Sequence, residues 1–265
     1  MSNTHQNDAL RCELDPGTGI ATLTLAMPKV NVINDSFGEG LADALAWAKG
    51  REGLKGIIIT SAHKDFCAGA DLDKIYAARD AAEVFAAVTA LNQLFRAIET
   101  AGVPVVAALN GTALGGGYEL AMACHIRYAA AGARMGQPEI NLGIIPGFGG
   151  SQRLPRLIGK GRALEMLLGG DPVDAARALE LGLVDRVLPD AELFDAAFAL
   201  AAKLAGKAPV ARRLILDAVV RGLDVNLDDG LRLEADLFGV VGATEDVKEG
   251  LTAFLDKRAA TFRGK

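Results

Sequence analysis

Glu119 and Glu139 are the two carboxylates of this chain that stand where acid–base chemistry would want them. Glu119 follows three consecutive glycines in "GTALGGGYELAMACHIR" (111–127). It falls in the first turn of a segment whose other residues, Leu120, Ala121, Met122, Ala123 and Ile126, are apolar. Glycines let a backbone approach a ligand closely, and the first N–H groups of a helix lack internal partners. Such donors can hold a developing oxyanion, each contributing about 2.7–4 kcal/mol to a transition state. A carboxylate one turn away, among apolar side chains, would be a general base with a raised pKa. On this stretch alone a blander reading stays open: the glycines allow close packing, and Glu119 caps its own helix.

Two further stretches favour chemistry. "HKDFCAGADLDKI" (63–75) follows an apolar run and carries a Cys-Ala-Gly-Ala-Asp turn, a second place where backbone N–H groups could point at a ligand. "GQPEINLGIIPGFGG" (136–150) sets Glu139 behind a proline and before another apolar run. Nucleotide readings fail on detail. The glycine spacing at 115–117 is not G-x-G-x-x-G, Glu119 would repel a pyrophosphate, and "LIGKGRA" (157–163) lacks the Ser/Thr and upstream glycine of a P-loop. His5, His63 and His125 have no ligand spacing, so no metal site is expected, and His125 is read as a structural histidine inside an apolar helix. Cys67 has no histidine base beside it by motif, which argues against a catalytic thiol.

The elements that must position these residues alternate in type. Strand-like runs "IATLTL" (20–25), "GIIIT" (56–60) and "PVVAAL" (104–109) are separated by helical patterns at 36–50 and 81–100. A helix is expected from about Tyr118. Beyond about residue 160 the strands fade into helices at 161–169, 174–181, 191–206, 208–221, 228–240 and 245–262, with Asp171, Asp174 and Asp190 as candidate caps. Asp71 and Asp73 are expected to cap the helix after the Cys-Ala-Gly-Ala-Asp turn, and Arg153 and Arg156 to pair with acids or carbonyls. The pattern predicts an α/β core with a helical C-terminal portion.

Composition narrows the class. The 265 residues are 51% hydrophobic and carry a formal charge of −5 with no basic run, which argues against a nucleic-acid or anionic-membrane surface. Three dispersed cysteines (Cys12, Cys67, Cys124) make no disulfide framework. The N-terminus has no apolar h-region and no run reaches the ~20 residues of a membrane span, so a soluble, cytoplasmic protein is expected.

Taken together, "FCAGADL", "NGTALGGGYELAMAC" and "GQPEINLGIIPGFGGSQRLPRLIG" resemble the enoyl-CoA hydratase/isomerase (crotonase) family. The likeness continues in order through "ALEMLLGG", "ALELGLVDRV" and "KEGLTAFLDKRAATF". The resemblance implies a ClpP/crotonase-like α/β fold: a spiral of ββα turns over 1–190 holding an acyl-CoA site, then a helical C-terminal region over 191–265 used in trimer assembly. A homotrimer or a hexamer made as a dimer of trimers is implied. It further implies that the N–H groups of Ala70 and Gly116 form an oxyanion hole for a thioester carbonyl, and that Glu119 and Glu139 are the catalytic glutamates. Ala68, Ala70, Asp71, Leu72, Gly116 and Tyr118 would line the substrate. The implied reaction is syn addition of water to a trans-2-enoyl-CoA in fatty-acid or related acyl-CoA breakdown, with no cofactor, because coenzyme A is part of the substrate.

The chain departs from the family pattern at Tyr118, often cysteine in relatives, and at "MPKVNVIND" (27–35), which replaces an alanine-asparagine-alanine loop near CoA. Lys29 is a candidate CoA contact, whereas Lys257 and Arg258 are read as solvated. A Δ3-Δ2-enoyl-CoA isomerase would use one glutamate rather than two. Other family lyases and hydrolases, which share the oxyanion hole, and RNA-binding relatives with a vestigial site are the remaining alternatives.

Overall fold

The computed structural model describes residues 2–77 and 80–265. Two antiparallel strands, β1 (Thr4–Gln6) and β2 (Leu10–Asp15), lead into the first of four repeated passages. Each passage runs one strand of a main sheet, then a short extended piece beside it, then helix.

In the first passage β3 (Ile20–Leu25) continues past Ile33 to α1 (Asp35–Lys49), whose N-terminus is capped by Asn34 accepting from the Phe37 N–H. In the second, β4 (Gly56–Ser61) passes through Cys67 and Ala70 to α2 (Leu72–Ala77) and α3 (Ala81–Glu99). In the third, β5 (Val105–Leu109) is followed by β6 (Ala113–Leu114) and α4 (Gly116–Ala123). In the fourth, β7 (Ile126–Ala130) is followed by β8 (Arg134–Gly136), a 3₁₀ turn (Glu139–Leu142) and α5 (Gly150–Ile158).

The chain then adds α6 (Lys160–Gly169), β9 (Val173–Asp174), α7 (Ala175–Leu181) and β10 (Arg186–Leu188). The main sheet has the order β1-β2-β3-β4-β5-β7-β10, parallel from β3 onward. Its inner strands are apolar without interruption: Ile57, Ile58 and Ile59 in β4 and all of β5 are buried, as a strand covered on both faces requires. The short pieces form a second ladder, Ile33 beside Ala70, Cys67 beside Ala113, Ala113 beside Met135, and Met135 beside Val173. The result is the expected spiral of ββα turns.

The helical C-terminal part holds α8 (Leu193–Ala205), α9 (Pro209–Gly222), α10 (Leu227–Gly242) and α11 (Glu245–Leu255). Helix α8 buries Leu193, Ala197, Ala201 and Ala205, a four-residue stripe that packs against strands of the main sheet. Helices α9 and α10 pack on each other and leave Ile215, Val219, Leu223, Leu231 and Phe238 exposed.

Several sequence expectations need correction. Strands continue past residue 160 as the short β9 and β10, and β2, β7 and β8 are also present. The last helix ends at Leu255 rather than 262. Lys257 turns left-handed (φ 55°), and the tail folds back so that the buried Asp246 carboxylate accepts the N–H groups of Arg263 and Gly264 (2.7 and 2.8 Å). Of the three aspartates proposed as caps, Asp174 accepts the Arg177 N–H; Asp190 lies inside a 3₁₀ turn, and neither it nor Asp171 caps a helix. Helix α4 stops at Ala123, so His125 lies beyond it. There His125 accepts the Val105 N–H on Nδ1 and bonds the Glu99 carbonyl through Nε2, as a satisfied structural histidine does.

Candidate active site

The second ladder brings two turns together. Gly69 (φ 107°) lies against the Leu114–Gly116 backbone: a Cβ there would be 2.9 Å from the Leu114 carbonyl oxygen and 3.6 Å from the Gly116 nitrogen. Neighbouring N–H groups are spent on the ladder, Ile33 on Gly69, Asp71 on Ile33, and Gly115 on Gly136. Among the described residues no acceptor meets the N–H of Ala70 or of Gly116. Two unspent donors on adjoining turns, one opening α4, are of the kind that can hold a developing oxyanion.

The three glycines meet three different neighbours. Gly115 has φ 49° and ψ −126°, a conformation that L side chains rarely adopt, and a Cβ on it would lie 2.9 Å from Glu139 Oε1. Gly116 is in contact with the Phe148 ring, and Gly117 packs on the Cys67 carbonyl. Their small size lets Glu139 and the second turn close on the start of α4.

Glu119 is 1% exposed and does not cap its own helix. Its Oε1 accepts the N–H groups of Phe148 (2.8 Å) and Gly150 (2.6 Å), so it caps the N-terminus of α5, where Gly149 offers no side chain. Burial pushes its pKa up from 4.5 to about 7. Ionised Glu139 raises it as well, while the two N–H bonds and the Arg153 charge oppose the rise. Glu139, also buried, is shifted upward by desolvation, and its Oε2 is an enclosed acceptor without a donor among the described residues. Gln137 completes the enclosure. Its amide N–H donates to the Gly115 carbonyl (3.0 Å), while its Oε1 has no donor among the described residues and would lie 2.3 Å from a Cβ on Gly150.

The remaining expected residues divide. Asp71 stands beside the Ala70 turn and caps α2 by accepting the Asp73 N–H at 3.1 Å; Ala68 and Leu72 are exposed on the same segment. Tyr118 lies in the first turn of α4. It is fully buried, and its hydroxyl donates to the Leu183 carbonyl (2.9 Å). Lys29 adopts φ 68° in the loop before Ile33, and Arg258 is committed to Glu249 through two bonds of 2.7 and 2.9 Å. Among the described residues no group of His, Cys, Asp and Glu could hold a metal ion. Sequence reasoning missed Gln137 and the donors at Phe148 and Gly150. The glycine pair in "GFGGSQR", opening a helix, was the available signal.

Two buried carboxylates and two unspent backbone N–H groups thus lie on neighbouring turns of one ββα spiral. Residues 15–265 match the family model described as enoyl-CoA hydratase/isomerase, and the chain belongs to that family. It is 41% identical to a probable enoyl-CoA hydratase of Bacillus subtilis over 93% of this chain and 96% of that one. It is 42% identical to the crotonyl-CoA hydratase of Syntrophomonas wolfei, over 93% of this chain and 95% of the relative. The crystal structure of an enoyl-CoA hydratase from Bacillus anthracis superposes with a TM-score of 0.88 at 36% identity, covering 100% of both chains.

Proposed function

We propose that the protein is an enoyl-CoA hydratase acting through Glu119 and Glu139. The observation that carries this is the pair itself: two buried carboxylates with upward-shifted pKa values, one clamped by backbone N–H groups and the other presenting an unpaired oxygen. The N–H groups of Ala70 and Gly116 draw electron density into the thioester carbonyl of a trans-2-enoyl-CoA, which makes C3 electrophilic. A water attacks C3 while Glu119 takes its proton, and Glu139 delivers a proton to C2. The sum is H and OH added across C2=C3 to give a 3-hydroxyacyl-CoA; Glu119 then returns its proton to the pair. One shared proton near neutral pH suits a coupled pair whose members are both harder to ionise than a free glutamate.

The same reading needs no cofactor beyond the CoA carried by the substrate. It takes the exposed apolar faces of α9 and α10 as the contact surface of a homotrimer or hexamer, and the division at residues 190 and 191 as the limit of the spiral core. A cytoplasmic location in acyl-CoA breakdown accords with three unpaired, buried cysteines.

The test is loss of the 2-enoyl thioester absorbance with crotonyl-CoA and with C8 and C12 2-enoyl-CoA. Glu119→Gln and Glu139→Gln should each lower turnover at least ~100-fold while CoA thioesters still bind. Wild-type turnover in either variant would remove that residue from proton handling. Absence of hydration by the wild-type enzyme, with a 3-enoyl-CoA converted instead, would make the protein an isomerase.

A further inference from the structure

One face of α3 packs on the segment that supplies the N–H donors to Glu119. Asn92, Phe95 and Glu99 recur at three- and four-residue spacing, and all three reach the loop before α5. The Asn92 amide donates to the Gly147 carbonyl (2.9 Å), and the Phe95 ring stands edge-on to Phe148 with centroids 6.1 Å apart. Glu99 Oε1 accepts from Arg153 Nε at 2.6 Å, and both side chains are nearly buried (16% and 14% exposed). Arg153 Nη1 in turn donates to the Phe148 carbonyl at 2.7 Å. The guanidinium occupies the space where a side chain on Gly149 (φ 102°) would lie, since a Cβ there would fall 1.9 Å from Nη1.

The turn Phe148–Gly149–Gly150 is therefore held between opposite charges. Inside, the N–H groups of Phe148 and Gly150 converge on Glu119 Oε1; outside, the carbonyl between them is fixed by Arg153. The network continues outward, with Arg96 donating to Glu99 Oε2 (2.9 Å) and pairing with Asp224 in the turn between α9 and α10. No regular element holds residues 143–149.

We propose that Arg153 and Glu99 are positioning residues: their ion pair aims the Phe148 and Gly150 N–H groups at Glu119 and sets the charge that Glu119 feels. This rests on the reading of Glu119 as the base. The charged groups facing Glu119 are Glu139 from the 3₁₀ turn, Arg153 and the helix N-terminus from α5, and Glu99 behind Arg153 from α3. His125, which bonds the Glu99 carbonyl, is held toward its neutral form by burial. Arg153 stabilises the carboxylate form of Glu119, and Glu99 partly offsets that charge.

The experiment is kcat/KM for crotonyl-CoA from pH 5.5 to 10 in the wild type and in Arg153→Met, Arg153→Lys, Glu99→Gln and Glu119→Gln. Arg153→Met should move the acidic limb upward, so that activity lost at pH 7 returns at pH 9. Arg153→Lys should keep the limb in place, and Glu99→Gln, whose amide oxygen still accepts from Arg153 Nε while its negative charge is lost, should move it downward. A limb unmoved in Arg153→Met overturns the proposal, however large the uniform loss of rate. If that variant does not fold, Glu99→Gln decides, and an unmoved or raised limb overturns it. Should Glu119→Gln hydrate at the wild-type rate, the assignment of the base falls instead. Loss of turnover in Glu119→Gln with unmoved limbs elsewhere overturns this inference alone.

Discussion

Replacing Glu119 by glutamine should make the protein more stable above neutral pH while destroying its activity. Glu119 is 1% exposed, and burial lifts its pKa from 4.5 to about 7. The folded protein therefore holds this proton more tightly than the unfolded chain does. The associated stability is fully present below about pH 4.5, declines as the pH rises, and is lost once the pH passes about 7. The shift is about 2.5 units, which at 1.36 kcal/mol per unit gives a penalty of about 3 kcal/mol for carrying the charge at pH 8.5. Glutamine removes that penalty, and its Oε1 still accepts the N–H groups of Phe148 and Gly150. For a chain of this size about 3 kcal/mol corresponds to roughly 6–12 °C in Tm. The assay is scanning calorimetry of wild type and Glu119→Gln at one protein concentration, at pH 5 and at pH 8.5. The two should melt close together at pH 5, with the variant several degrees higher at pH 8.5. A variant no more stable at pH 8.5, or equally stabilised at both pH values, would refute the claim that burial of an ionised Glu119 strains the fold.

Two further outcomes follow from single contacts. Tyr118→Phe loses the bond to the Leu183 carbonyl, which Arg127 Nε also satisfies, so it should cost about 1 kcal/mol and leave chain-length preference unchanged. A changed C8-to-C4 activity ratio would put Tyr118 back at the acyl site. Asp246→Ala frees the N–H groups of Arg263 and Gly264 and should speed amide hydrogen exchange in the last eight residues, leaving α4 and α5 as protected as in the wild type. Unchanged exchange in the tail would mean that other contacts hold it.

How far the sequence could be read depended on whether a residue's partners were near it in the chain. Strands β3, β4 and β5 show as apolar runs because both their faces are covered. Strand β2 was hidden by Arg11 and Glu13, which alternate outward from buried Leu10, Cys12 and Leu14 in a sheet covered on one face there. Strand β7 was hidden by a buried arginine: Arg127 is 4% exposed, and its guanidinium is spent on the carbonyls of Cys124 and Leu183. The residues of the candidate site were legible as types because two carboxylates in apolar settings and a run of glycines are unusual. Their partners were not. Nothing local to Glu119 announces that it caps a helix starting 31 residues later, or that Glu99, on a helix before it, steers the donors it uses.

The second ladder, with Ala70 beside Ile33 and Cys67 beside Ala113, also orders events as the chain is made. Each turn of the spiral lies on the one synthesised just before it, so the parts of the site arrive in sequence: Ala70, then Gly116 and Glu119, then Glu139, then the loop that ends at Gly150. A chain made only through β7 holds the Ala70 and Gly116 N–H groups and the Glu119 carboxylate, but not the Phe148 and Gly150 donors or Glu139. Burial, the largest cause of Glu119's raised proton affinity, and Glu139 beside it come with the later turns, whose N–H donors and Arg153 pull the other way. The scaffold beyond α5, with β10 joining the main sheet and α8 packing on it, is synthesised only after these residues.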